Sequence, residues 1–356
     1  MTSALARRLA AEPPREICVV MLSALGDAVH VLPVVNAVKR RWPGVRVTWI
    51  VQPVPHALVR GHPSVDELVV FRRRRGPAAW RGFAEVAHRL RERRFDVALG
   101  LQVYFKAGLL TRLVPARTRL GFDRRRARDA QWLFTDERIP ARGHQHVQDQ
   151  YFEFLEHLGV DPEPVEWGIR LAYTPEERAA RDAFFRELAA PACAVVVGTS
   201  RTGKNWTAEG YARVLEVVEE RHGLRPVLVG GPSPGERAIA DRILSLTGAR
   251  PVDALGDDVR RLTAILDGAA LTISPDTGPL HISRALDTPV VGLYGHTNPK
   301  RTGPYRKYAD LVVDGYARFP GEDYPVSTER RDGMKRVTTS RVLEKVERAL
   351  ELYVRG

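Results

Sequence analysis

The sequence predicts an α/β protein made of two doubly wound domains, each a parallel sheet with helices on both faces. Two alternations carry this reading: short apolar runs take turns with helix-period stretches in the first half, and the same pattern returns in the second. Between them DPEPVEWGIRLAYTPEE breaks every period with prolines and polar residues, which marks a linker near residues 161–175. A chain of 356 residues also fits two domains better than one. The expected divisions are 1–165, 166–335, and a terminal helical segment 336–356 that packs back on the first domain.

In the first half ICVVML, VRVTWIV and FDVALGL are short, β-branched and bounded by polar residues, so they read as buried strands. VLPVVNAVKRRW, FAEVAHRLRERR and HVQDQYFEFLEHLG carry apolar residues at helical spacing, the last ending at Gly159. In the second half ACAVVVG, RPVLVGG, LTISPD and TPVVGLYG read as strands. PEERAARDAFFRELA, AEGYARVLEVVEERHG, ERAIADRILSLTG, VRRLTAILDGA and SRVLEKVERALELY read as helices.

A hydrophobic content of 44% supports a sizeable core. No run approaches the roughly 18 apolar residues of a membrane span, and the opening MTSALARRLAAEPPRE lacks the apolar centre of a secretory signal, so a cytoplasmic location is expected. Cys18 and Cys193 lie in separate apolar runs and read as buried thiols. No grouping of the 10 histidines has metal-ligand spacing, and no metal is expected. The formal charge of +12 points to an anionic partner. Residues 1–172 hold 28 Lys and Arg against 18 Asp and Glu, whereas the remainder holds 27 against 25, so the excess belongs to the first half. There Arg72, Arg73, Arg74 and Arg75, and then Arg124, Arg125, Arg126 and Arg128, form clusters suited to phosphate or to a solvated basic face.

Four segments carry candidate chemistry. In LSALGDAVHVLPVV, Gly26 is expected to make the strand-to-helix turn and Asp27 to fall near the helix start, as a cap or as a general base for a hydroxyl; His30 sits on the same face. GTSRTGKNW imitates a P-loop through Gly198, Gly203 and Lys204, but Asn205 replaces the magnesium-binding hydroxyl and Thr207 suggests a later helix start. In SPDTGPLHISRAL, Asp276, Thr277, Gly278 and His281 read either as caps and core or as a diphosphate-binding helix start. Glu236, after Gly230 and Gly231, suits a ribose hydroxyl or the helix dipole. Asp257 and Asp258 read as a helix start rather than a metal site.

Taken in order with YGHTNPKRTGPY, these segments resemble the lipopolysaccharide heptosyltransferases, the ADP-heptose-using glycosyltransferase family 9 with its GT-B fold of two Rossmann-like domains facing a central cleft. The resemblance runs from Ile17 to Tyr305 and resumes near DGMKRVTTSRVLEKV. It implies that Asp27 is the catalytic base and that Thr199, Ser200, Lys204, Glu236, Asp276, Thr277, Gly278 and His281 bind the donor. It further implies inverting transfer without metal or cofactor, from ADP-heptose to an acidic lipopolysaccharide inner-core acceptor. Arg72, Arg73, Arg124 and Arg125 are then candidates for the acceptor's phosphates and for peripheral contact with the inner membrane. His296 and Ser274-Pro275 depart from the commoner family pattern. A related transferase using another nucleotide sugar and a P-loop NTPase are the alternatives; nucleic acid is not an expected partner, since no interleaved basic and aromatic platform is present.

Overall fold

The computed structural model describes residues 3–326, 330 and 332–354. The chain forms two compact units, Met1–Gly143 with Val147–Ala172, and His144–His146 with Tyr173–Gly356. Residues 1, 2, 355 and 356 of the expected terminal segments lie outside the described residues.

In the first unit β1 (Glu16–Val20), β2 (Arg46–Val51), β3 (Glu67–Val70), β4 (Phe95–Gly100), β5 (Ala116–Gly121) and β6 (Glu137–Arg138) form one parallel sheet in the order 3-2-1-4-5-6. Its helices are α1 (Ala4–Ala11), α2 (Leu25–Arg41), α3 (Pro53–Val59), α4 (Ala79–Leu90), α5 (Phe105–Leu113) and α6 (Val147–Leu158). The central strands β1 and β2 are buried almost throughout, as a sheet covered on both faces requires. Trp49 of β2 is fully buried, and its indole N–H donates to the Met21 carbonyl at 2.9 Å, so the large ring is inserted without an unsatisfied polar atom.

In the second unit β7 (Ala192–Val196), β8 (Arg225–Val229), β9 (Val252–Asp253), β10 (Leu271–Pro275), β11 (Val290–Tyr294) and β12 (Val312–Asp314) pair in parallel, in the order 12-11-10-7-8-9. Counted from the first strand of each unit, the two sheets share one order. Each therefore reverses its winding between its first and fourth strands, β1 beside β4 and β7 beside β10, where doubly wound sheets hold ligands beyond their carboxyl ends. The helices are α7 (Pro175–Leu188), α8 (Ala208–Glu220), α9 (Pro234–Leu246), α10 (Val259–Gly268), α11 (Gly278–Ala285), α12 (Pro299–Thr302) and α13 (Thr339–Ala349).

Two divisions differ from expectation. The proline-rich stretch from 161 is pinned to the first unit: Arg40 donates to the carbonyls of Asp161, Glu163 and Pro164, the Trp167 carbonyl lies 2.9 Å from His62 Nε2, and the units divide only after Ala172. The terminal helix α13 belongs to the core of the second unit. Val342, Val346 and Ala349 are buried there beside β11 and β12, and one apolar stripe serves one core. Among the described residues no helix is long and apolar enough to cross a membrane.

Three glycines lock the region beyond β11. A Cβ on Gly333 would fall 1.8 Å from the Gly295 carbonyl oxygen, and one on Gly315 would fall 2.6 Å from the Gly333 oxygen. Backbone lies on backbone there, with no side chain able to move aside. Gly333→Ala is expected to lower the unfolding free energy by about 3 kcal/mol, while Gly44→Ala, whose Cβ meets nothing within 4 Å, stays within about 0.5 kcal/mol. Urea titrations of both variants check this; equal midpoints would contradict it.

Candidate active site

At the first switch point the chain leaves β1 and enters α2, which begins at Leu25, so Gly26 is already helical and the turn is made by Ser23 and Ala24. This corrects the expected role of Gly26: its backbone has ordinary helical geometry. Asp27 lies in the first helical turn, where its Oδ2 accepts the Ala24 N–H at 2.9 Å, and the Tyr151 hydroxyl of α6 lies 3.3 Å from its Oδ1. One turn on, the buried His30 meets Gln148 of α6 through Nδ1, at 2.9 Å, and the Gln148 amide donates to the His30 carbonyl at 2.8 Å. Residues 27 and 30 on α2 thus face 151 and 148 on α6, at matching three-residue spacings, and His30 is a packing residue. From the end of β4, Gln102 accepts the Leu22 N–H and donates to the Ser23 carbonyl, fastening the loop that carries Asp27. The carboxylate remains half-exposed.

The second switch point is built around a buried charge. Asp276, at the end of β10, accepts Lys204 Nζ on Oδ2 at 2.6 Å and on its carbonyl at 3.1 Å; Thr297 donates to the same Oδ2 at 2.5 Å. His281 Nε2 lies 3.6 Å from Oδ1, close enough for electrostatic attraction but too far for a hydrogen bond. Burial pushes the Asp276 carboxyl up, but His281 and Lys204 outweigh it and hold the group ionised well below the usual carboxylate range. Thr277 stands at the N-cap of α11 with no side-chain capping bond, and Gly278 is the first helical residue, so a hydroxyl and uncovered backbone are presented at a positive helix end.

The loop after β7 brings Lys204 to that point. Asn205 Oδ1 accepts the Thr199 N–H at 2.8 Å, and the Thr199 hydroxyl donates to the Arg201 carbonyl at 2.7 Å, which folds 199–205 back on itself and leaves Ser200 exposed. Gly203 approaches His296, whose Nδ1 would lie 3.2 Å from an added Cβ. Helix α8 starts at Ala208, capped by Thr207, so Lys204 precedes it and a P-loop cradle is not formed. Glu236 accepts from Gly231 N–H at 2.8 Å and from the Ser233 hydroxyl at 2.6 Å, while Gly198 and Gly230 crowd its side chain. Ser233 caps α9 by accepting the Glu236 N–H, and the Glu236 carboxylate lies in the first turn of that helix, at the carboxyl ends of β7 and β8. Asp258 caps α10. Among the described residues no group of three His, Cys, Asp or Glu side chains is arranged to hold a metal ion.

The arginine clusters divide. Arg126 is buried, paired with Asp123 at 2.5 Å and with Glu153 at 2.6 Å, and ties β5's exit to α6; its inclusion among the phosphate-seeking arginines is corrected, since two carboxylates already surround it. Arg74 pairs with Glu85. Arg72, Arg73, Arg124 and Arg125 are exposed, with Arg124 stacked 4.2 Å from the centre of the Trp132 ring. Sequence reasoning missed Tyr151, Gln102 and Thr297, and it read Asn205 only as a departure from a P-loop. Asn205 and Thr297 lay in motifs already singled out, and the role of Thr297 depends on β11 lying beside β10.

Because the folded carboxyl of Asp276 titrates below its ordinary value of 3.8, the stabilisation it brings is complete above that pH and is lost as the pH falls toward the folded value. Asp276→Asn is therefore expected to cost about 3 kcal/mol at about pH 7, a deficit that shrinks toward about pH 3. Denaturant titrations at both pH values check this, and equal deficits would contradict it.

Residues 83–323 match the family described as glycosyltransferase family 9 (heptosyltransferase). Over 306 residues, 85% of each chain, the protein is 31% identical to lipopolysaccharide core heptosyltransferase OpsX of Haemophilus influenzae. In fold it is similar to a family 9 glycosyl transferase from Veillonella parvula, with a TM-score of 0.79 and 23% identity, covering 95% of this chain and 97% of the other. It is likewise similar to the ADP-heptose lps heptosyltransferase II of E. coli, with a TM-score of 0.75 and 20% identity, covering 95% and 98%. The fold is GT-B, and the chain belongs to glycosyltransferase family 9, the heptosyltransferase family.

Proposed function

We propose that the protein transfers heptose from ADP-heptose to a hydroxyl of an acidic lipopolysaccharide inner-core acceptor, with inversion and without a metal. The observation that carries this reading is the buried Asp276–Lys204 pair beside the Thr277 hydroxyl and the start of α11. The ADP-heptose named for the E. coli structure and the lipopolysaccharide core named for the Haemophilus relative support the choice of substrates.

Two of the three Lys204 donors go to Asp276, which aims the third at a diphosphate oxygen. Lys204, the Thr277 hydroxyl and the N–H groups near Gly278 stabilise the charge that develops as the diphosphate leaves, a task otherwise given to a divalent cation. His281 holds the far oxygen of Asp276, Thr199 and Ser200 line the donor loop, and Glu236 accepts from a ribose hydroxyl. Asp27 takes the proton of the attacking hydroxyl; a single displacement at the anomeric carbon then inverts it. The exposed Arg72, Arg73, Arg124 and Arg125 hold acceptor phosphates, and the enzyme works peripherally at the cytoplasmic face of the inner membrane.

The test is transfer from ADP-heptose to a deacylated, phosphorylated inner-core acceptor in the presence of chelator. The wild type is expected to turn over and Asp27→Ala to lose at least about a hundredfold while binding donor normally. An Asp27→Ala variant that keeps its rate would sink the base assignment. Absence of ADP-heptose binding, with another nucleotide sugar bound instead, would replace the donor.

A further inference from the structure

The segment after β11 carries one titratable side chain to which the proposed reaction gives no part. His296 follows Gly295, whose backbone is pressed against Gly333, and precedes Thr297, which donates to Asp276; its own carbonyl accepts the Arg330 N–H at 2.9 Å. The backbone at 296 is thus held from both sides and from the region beyond β12. From that fixed point the half-buried imidazole reaches the loop after β7. A Cβ added to Gly203 would lie 3.2 Å from its Nδ1 and 3.4 Å from its Cε1. The polar edge of the ring therefore rests on the residue next to Lys204, and glycine at 203 leaves it room.

Charge balance gives the ring a use. A nucleoside diphosphate carries more than one negative charge, and Lys204, the cation assigned to it, is already matched by Asp276 at 2.6 Å. Most charged groups on the surrounding elements are engaged in the same way. Arg330 is paired with Glu322 at 2.8 Å, Lys300 of α12 with Asp323 at 3.0 Å, and His281 of α11 lies 3.6 Å from Asp276. Arg201, on the loop after β7, and Arg301, on α12, are the further charges of these two segments. A histidine differs from all of these cations in that an anion laid against it in the neutral pH range can draw a proton onto it.

We propose that His296 binds the diphosphate of the donor and takes up a proton from solvent as it does so, giving the site a positive charge that lasts while the ligand is bound and returns to solvent as the nucleotide leaves. This rests on the reading that the ligand is a nucleoside diphosphate sugar. Its consequence is that the contribution of His296 to nucleotide affinity grows as the pH falls.

Calorimetric titration of ADP into the full chain tests it, with the wild type compared with His296→Gln, which keeps a neutral hydrogen-bonding side chain. The ratio of the two affinities is expected to be near one at about pH 8.5 and to reach about tenfold at about pH 6; protonation of ADP itself cancels in the ratio. A second measurement needs no altered fold. The NMR signal of the His296 imidazole, identified by its absence from the variant, is expected to titrate about one pH unit higher when the wild type is saturated with ADP. A ratio that is equal at both pH values, or an imidazole whose titration ignores bound ADP, overturns the proposal and leaves the ring as packing on Gly203. The same pH-dependent ratio with another nucleoside diphosphate, in a protein that does not bind ADP, would uphold His296 and remove ADP-heptose as the donor. A wild type that binds no nucleoside diphosphate would remove both.

Discussion

An ionised carboxylate taken out of water costs several kcal/mol unless cations and hydrogen bonds compensate it where it lies. Asp276 is such a group, and satisfying it dictates much of the second unit's carboxyl edge. Lys204 must arrive from the end of β7, so the intervening loop is folded tightly by Asn205 and Thr199, and α8 is delayed to Ala208. Thr297 must arrive from beyond β11, a segment held by the contact of Gly295 with Gly333. Three strand ends are thus tied to one oxygen pair. The lysine, the Thr277 hydroxyl and the first turn of α11 are thereby held in one arrangement.

The first unit solves the same topological problem with neutral groups. Gln102 bridges from β4 to the loop after β1, and α6 braces α2 through Tyr151 and Gln148. The difference suits the two tasks. On the proposed reading the buried Asp276 orders the donor site and the half-exposed Asp27 accepts a proton, and burial suits a permanently ionised carboxylate as exposure suits a base.

The buried strands β1, β2, β4, β7, β8, β10 and β11 were legible because two covered faces impose unbroken apolar runs. Strands at and next to the sheet edges escaped for the opposite reason. β5, ARTRLG, beside the edge strand β6, alternates with arginines, and the edge strands β6, β9 and β12 are two or three residues long, too short for any period to declare itself. Asp276, Lys204 and His281 were readable as candidates, because their motifs place cation and anion after strands; their union needs the knowledge that β7 lies beside β10. Arg126 shows the converse failure. In a run of arginines it looks like its neighbours, and only the fold brings Asp123 and Glu153 around it.

On the proposed reading Asp276 serves donor binding by orienting Lys204. Calorimetric titration of ADP into the wild type, Lys204→Met, Asp276→Asn and the double variant measures that coupling directly. The double variant is expected to lose little more affinity than Lys204→Met alone, with a coupling of at least about 1 kcal/mol. Losses that simply add would show that the two residues act independently on the nucleotide and would contradict it.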